Sequence, residues 1–420
     1  MKILYVLPYV PSPIRVRPYQ IIRALTQAGH GVTVAALADD SFASADALAE
    51  LRTRCDAVHV VPHSRTQGAW QALLALPTPM PLWAAYCHSE ALETRLCELV
   101  ATGAFDVAHI EHLRAAHFVP SLAPLPIVFD AVDCITALRK QMMDSGNGSF
   151  SSRLLSWEEW RKLRTYEPRI CRLFGQVVVT AEQDKVELQR LDPGSPPITV
   201  IANGVDADYF HPDPHIAPEP DTLVFSGKMS YEANQDAASF LLKEILPRLR
   251  QSRPRAKAII VGSSPSRALK SLAVRTGGVT LTGFVDDIRP YLLRATVAVC
   301  PIRIGVGIQN KVLEAMAVGR PVVCSPIAAR ALPETAGTGD GVYVAETAGE
   351  FARVCAEILA KPDHELAESG RAARAFVAPN YRWSVAADDL VCLYNAAIAA
   401  ACEIGTAPAS LRRGLATGAV

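Results

Sequence analysis

The chain has no surplus of either charge: its 420 residues hold 42 Lys+Arg and 42 Asp+Glu. That balance argues against a globally basic nucleic-acid binder, and no nucleic-acid partner is expected. It has no Cys-x-x-Cys pair. The ten cysteines stand apart at 55, 87, 97, 134, 171, 300, 324, 355, 392 and 402. A zinc ribbon and a thioredoxin-like motif are thereby excluded, and several thiols sit in apolar runs, as buried free cysteines of a reducing cytoplasm do. No uninterrupted run of 18 apolar residues occurs, so no membrane span is expected. The apolar start Met1–Leu7 gives way to Pro8, Pro11 and Pro13, too short for a signal peptide. What the chain does have is length and apolar content. Half its residues are hydrophobic, enough for two folded domains with separate cores.

Taken in order, Lys2–Tyr9 reads as a buried strand, followed by a proline-rich loop carrying Arg15 and Arg17. Helical spacing over Tyr19–Ala28 and a strand at Val32–Leu37 complete a βαβ unit, which implies a parallel sheet. Phe105–Leu113 is an apolar strand that ends in Glu111, His112 and, just beyond, Arg114. Leu125–Cys134 is another, closing in Asp130 and Asp133. Functional groups of parallel sheets gather at such carboxyl ends. The simpler readings are surface arginines at 15 and 17, and Asp133 as the N-cap of a helix over Thr136–Met143. Residues 144–152 are polar and glycine-rich, a loop expected to be mobile. The amphipathic helix Arg153–Arg172 follows. Its Trp157, Trp160, Arg161, Lys162 and Arg164 either pack internally or touch an anionic membrane surface.

The most informative stretch is Gly305–Val323. It follows the strand-like run Val297–Pro301. Gly305 and Gly307 permit a tight turn and close backbone approach. A helical pattern runs from Ile308 to Val318, with Gly319 at its C-terminal end. A glycine turn feeding a helix N-terminus offers backbone N–H groups and a positive dipole end to a phosphate. Lys311 and Glu314 share one helix face, one suited to phosphate charge and the other to ribose hydroxyls. An ordinary strand–turn–helix with solvated charges has the same spacing.

The wording Gly305-Val-Gly-Ile-Gln-Asn-Lys-Val-Leu-Glu-Ala-Met-Ala-Val-Gly-Arg-Pro-Val-Val323 resembles the C-terminal signature of family 4 glycosyltransferases, retaining enzymes of the GT-B fold. It is most similar to the branch associated with exopolysaccharide and PEP-CTERM/exosortase systems. Val200–Phe210, with Asn203-Gly204-Val-Asp206, resembles the family phrase that closes the N-terminal domain. Two departures stand out. Val306 occupies the place of the first of two family glutamates, whose contact with the transferred sugar therefore does not carry over. Asn234 stands where a second diphosphate-gripping base is usual, six positions after Lys228.

The resemblance implies an α/β GT-B architecture: two facing Rossmann-like domains, an interdomain cleft and a C-terminal helix crossing back. The expected divisions are 1–211, a linker over 212–221, a donor domain over 222–378, the returning helix over 379–403 and a disordered tail over 404–420. The donor site is expected at Gly227, Lys228, Gly262, Phe284, Val285, Gly305, Gly307, Ile308, Lys311 and Glu314, with Lys228 and Lys311 as a two-lysine diphosphate clamp. Glu111 and His112 fall near the family histidine that faces the reacting sugar. With the two lysines they form the expected catalytic set. Arg17, Asp130 and Asp133 are expected on the acceptor side. The co-substrate is then a nucleotide sugar, and the acceptor a sugar, lipid-linked or small-molecule hydroxyl. No Asp-x-Asp motif stands in a suitable loop, so neither an essential metal nor another cofactor is expected. The expected location is cytoplasmic, with peripheral contact at the inner face of the membrane as an option. The rival readings are a non-catalytic GT-B subunit and a sugar-nucleotide epimerase.

Overall fold

The structure, a computed structural model, describes residues 1–13, 15–39, 45–144, 150–330, 332 and 341–403. Most of the 144–152 loop and the whole 404–420 tail lie outside the described residues. The chain divides into two compact units, Met1–Ala202 with Trp383–Val420, and Asn203–Arg382.

The first unit holds strands β1 (Lys2–Leu7), β2 (Gly31–Asp39), β3 (Ala57–His63), β4 (Val107–Glu111), β5 (Ile127–Val132), β6 (Gln176–Val179) and β7 (Ile198–Val200). They form one sheet in the order β3-β2-β1-β4-β5-β6-β7, every pair parallel. Between them run helices α1 (Val16–Gln27), α2 (Ala45–Arg54), α3 (Arg65–Leu74), α4 (Leu82–Ala85), α5 (Glu90–Ala101), α6 (Ile135–Asp144), α7 (Phe150–Cys171) and α8 (Glu182–Leu191).

Parallel strands covered on both faces must be apolar on both, and β1 is: Ile3 to Leu7 are all fully buried. Side chains alternate, so Leu4 and Val6 enter one core with Ile110, Phe118, Phe129 and Leu163. Ile3, Tyr5 and Leu7 enter the other, with Ile21, Ile22, Leu25, Trp383, Leu390 and Tyr394.

The second unit repeats the plan with β8 (Thr222–Ser226), β9 (Lys257–Val261), β10 (Val279–Leu281), β11 (Val297–Cys300), β12 (Val322–Cys324) and β13 (Val342–Val344), ordered β10-β9-β8-β11-β12-β13 and again all parallel. Its helices are α9 (Glu232–Phe240), α10 (Leu246–Ser252), α11 (Arg267–Thr276), α12 (Arg289–Arg294), α13 (Asn310–Ala317), α14 (Pro326–Ala329), α15 (Ala348–Leu359) and α16 (Asp363–Asn380).

The last helix, α17 (Trp383–Glu403), belongs to the first unit, packed on α1, β4 and β5. By length and composition it could cross a membrane, yet Trp383, Ala386, Ala387, Leu390, Tyr394 and Ile398 are buried against that unit.

The division falls between Ala202 and Asn203, not after 211, and 212–221 is not a free tether. Arg374 donates to the carbonyls of Ala207 and Phe210, and Val205 N–H to Tyr381 O. Glu219 pairs with Arg294 at 2.5 Å. These bonds hold 203–221 to the second unit.

Strand order reverses between β1 and β4 in the first sheet and between β8 and β11 in the second. Ligands of open parallel sheets bind outside the carboxyl ends at that reversal. The fold therefore marks two places, one per unit, before any side chain is considered.

Candidate functional site

In the second unit the reversal point gathers the segments after β8 and β11. Gly227 N–H donates to Val261 O at 2.9 Å, and Met229 N–H to Ser263 O at 2.9 Å, so the turns after β8 and β9 run together. The approach needs glycine: a β-carbon on Gly262 would stand 1.8 Å from the Gly227 carbonyl oxygen. Asn234, buried in the first turn of α9, donates from Nδ2 to Lys228 O at 3.1 Å. Its sequence position offers only a missing charge. The fold shows that it fixes the peptide carrying Lys228.

After β11, Gly307 takes a positive φ of 63° and the chain enters α13. Lys311 lies in its first turn, Nζ donating to Gln309 Oε1 at 3.1 Å and standing 5.8 Å from the Phe225 ring of β8. Glu314, one turn on, is half-buried. Burial pushes its carboxyl up to about 7, while Lys311 pulls the other way. Neither group is on a bare outer face. Asn203 Nδ2 donates to Asn310 Oδ1 at 3.0 Å, tying the Asn203–Gly204 turn to the same helix. Gly319 closes it with a φ of 73°. Ile308 is buried, Val285 half-buried, and Phe284 is 67% exposed on the loop after β10.

In the first unit the reversal point holds a buried polar cluster. Glu111 ends β4 and accepts from Tyr5 Oη at 2.6 Å and Tyr9 Oη at 3.3 Å. Arg17 Nε and Nη2 reach Asp130 Oδ2 at 2.9 and 2.6 Å, and Nη1 reaches Ile201 O at 3.2 Å. Both partners are buried. Arg17 and Asp130 are thus brought together, but each is satisfied by the other. His109 stacks on Tyr5 at 4.2 Å and is bonded through Nδ1 to Tyr394 of α17 at 2.9 Å. Ligand atoms of His109, Glu111 and Asp130 lie within 4.8 Å of one another. The hydroxyls of Tyr5 and Tyr9 and the Arg17 guanidinium stand against those carboxylates, while His109 Nε2 is buried without a hydrogen-bond partner among the described residues.

Strain marks the same spot. His112 has φ +75° and Val132, β-branched, φ +69°. The two strand ends are joined by His112 N–H to Asp130 O at 2.7 Å, and within the β5 end Val132 N–H donates to Asp130 Oδ1 at 3.1 Å. His112 Nδ1 accepts from Arg114 N–H at 3.2 Å, leaving Nε2 to carry the ring proton. Burial, then Arg114 and Arg15, hold it well below the usual histidine range.

Burial first, then the charge of Asp130, pushes the Glu111 carboxyl up to about 8. The folded chain thus holds a proton that the unfolded chain releases at about pH 4.3. Stability from this group is full at low pH and is lost as pH rises through about 8. Glu111→Gln cannot ionise. Urea unfolding between about pH 6 and 9 should cost the wild type more stability than this variant. Parallel losses would contradict it.

Two alternatives that the sequence left open are decided by the fold. Asp133 does not cap α6: it accepts from Thr180 Oγ1 at 3.2 Å. The first N–H groups of that helix, Ile135 and Thr136, go to Glu167 of α7 at 2.8 Å each. Lys162 is not available to a membrane: it is buried, with Nζ donating to the carbonyls of Ala75 and Leu76. Trp157 of the same stripe is 46% exposed, and Arg164 lies 4.9 Å from the Trp160 ring.

What residue-by-residue reading missed is a ladder of arginines and rings. Arg15 lies 4.0 Å from the Tyr9 ring centre, Arg114 5.2 Å from Tyr9 and 4.8 Å from Trp83, and Arg139 5.1 Å from Trp83. Trp83 and Arg139 carry no local signal; only α4 and α6 bring them here.

Comparison with known proteins agrees with this geometry. A model described as Glycosyltransferase Family 4 matches residues 15–209, and one described as Glycosyl transferases group 1 matches 220–361. Curated proteins give no sequence match. Among solved structures, sucrose-phosphate synthase from Thermosynechococcus elongatus superposes with TM-score 0.68 at 16% identity, covering 95% of this chain and 100% of that one. A glycosyltransferase from Rickettsia africae gives 0.62 at 15%, covering 94% and 98%. HepE of Anabaena, solved with UDP and glucose, gives 0.66 at 14%, covering 94% and 100%. At these identities the structures speak for the fold alone. With family matches over both units and two parallel sheets of this topology, the chain belongs to the GT-B glycosyltransferases.

Proposed function

We propose that the chain transfers a sugar from a nucleoside diphosphate sugar to a hydroxyl acceptor, with retention at the anomeric carbon, in polysaccharide or glycoconjugate synthesis. The observation that carries this reading is the pairing of β8 with β11, which sets Gly227–Lys228 beside the turn into α13. Lys228, Lys311 and the helix N-terminus there oppose the charge of a departing diphosphate. In this reading lysines, not a metal, neutralise that charge. Glu314 takes the ribose hydroxyls. In the first unit neutral His112, with its ring proton on Nε2, is a hydrogen-bond donor for a hydroxyl oxygen of the acceptor. Glu111 acts from behind by holding Tyr5 and Tyr9. The likeness to HepE, solved with UDP and with UDP-glucose, makes UDP sugars the first donors to try.

One observation favours a second reading. Val306 stands where the family places a glutamate against the sugar, as a non-catalytic subunit would allow. A mass-spectrometric screen of nucleotide sugars, read as hydrolysis or transfer, separates the two. Turnover of one donor, with the product anomer matching it by NMR, is the expected result. No turnover of any donor, with nucleoside diphosphate binding intact, would establish the non-catalytic reading instead.

A further inference from the structure

The arginine ladder of the first unit is a charged feature that the Glu111–Asp130 cluster does not explain. Its members come from four segments: Tyr9 and Arg15 after β1, Arg114 after β4, Trp83 in α4 and Arg139 in α6. β1 and β4 are the strands between which the order reverses. Three guanidiniums alternate with two aromatic rings, all of these side chains half-buried except Tyr9, which is buried. Ring faces favour the cations one by one. They do nothing for the repulsion among them. Among the described residues neither Arg114 nor Arg139 is in an ion pair, and Arg114 Nε is buried without a hydrogen-bond partner. Of the carboxyls at these strand ends, Glu111 is taken by the two tyrosines and Asp130 by Arg17. The first turn of α1 contains no acidic residue and adds its positive dipole end at Arg15.

We propose that Arg15, Arg114 and Arg139 form a subsite for a phosphate group, so that the acceptor is a phosphorylated compound held in the first unit. This rests on the transferase reading for the word acceptor, but not for the phosphate. Arg114 presents a planar fork to phosphate oxygens, and Arg139 flanks it across the Trp83 ring. The rings stiffen both side chains, which lowers the ordering cost on binding. A phosphate would supply the counter-charge that no acidic side chain gives Arg114 or Arg139. Two sources share that chemistry, a soluble sugar phosphate and the headgroup of a phosphorylated lipid.

The test uses the full chain with its donor site filled by saturating UDP. Glucose 6-phosphate is titrated by calorimetry, and vesicles of phosphatidylcholine with or without phosphatidic acid are tested by co-sedimentation. The wild type should bind one of these phosphomonoester probes and not free glucose or plain phosphatidylcholine. Which probe binds identifies the source. Arg114→Gln/Arg139→Gln should weaken that binding at least tenfold and leave UDP affinity unchanged. Arg114→Lys/Arg139→Lys should recover part of it, and wild-type binding should fall with added salt, so the idea stays testable should the glutamine variant not fold. Binding of neither probe, or equal binding by the glutamine variant, would overturn the proposal. Failure of UDP to bind would count against the donor reading alone, since the phosphate titrations are then run without UDP and still decide this one.

Discussion

Arg17→Met will cost about 3–5 kcal/mol of unfolding free energy, because it leaves one partner of a buried ion pair alone. Arg17 and Asp130 are both buried and joined by two contacts to one carboxylate oxygen. Methionine matches the stem but not the charge. Asp130 must then take up a proton or stay ionised with no counter-charge, and Ile201 O loses its donor as well. The double variant Arg17→Met/Asp130→Leu should recover much of the loss, since replacing both partners by apolar groups is often near neutral. Chemical denaturation of the two single variants and the double completes the cycle. A cost below about 1 kcal/mol for Arg17→Met would mean that the pair is no more than a surface-strength bridge.

The second large effect falls on the second unit. Gly262→Val sets a branched side chain where a β-carbon alone would be 1.8 Å from a backbone oxygen. Backbone cannot swing aside as a side chain can, so the turns after β8 and β9 must separate. Their bonds, Gly227 N–H to Val261 O and Met229 N–H to Ser263 O, go with that separation. A cost of about 2–3 kcal/mol in stability is expected. Lys228 would shift with its peptide, so nucleoside diphosphate binding should weaken at least tenfold. Thermal unfolding and calorimetry on the same preparation check both. A variant that is stable and binds normally would show that this close approach does not position Lys228.

The second unit's reversal point was the more legible half because its residues are close in sequence. Gly305, Gly307, Lys311 and Glu314 lie within ten positions, and one turn plus one helix brings them together. Asn234 was half legible: its place was marked, but its bond to the Lys228 carbonyl needed the fold. The first unit was harder because its partners are remote. Arg17 and Asp130 are 113 positions apart, and Tyr394 is 285 from His109. Sequence placed Glu111, Asp130 and Arg114 at strand ends, yet could not show that burial would pair the acids off and leave arginines around Trp83. Asp133 fails for a related reason. Its cap role was local and plausible, but a longer side chain from α7, Glu167, reaches both N–H groups at once.

The decisive measurement is the titration of UDP and the other nucleoside diphosphates into the wild type, Lys311→Ala and Glu314→Ala. The wild type should bind at least one of them. Lys311→Ala should then weaken binding by about tenfold or more, the size of one charge-assisted contact, and Glu314→Ala should weaken it as well. A wild type that binds none of them, or a Lys311→Ala variant that binds as tightly as the wild type, would contradict the assignment of the diphosphate to the start of α13.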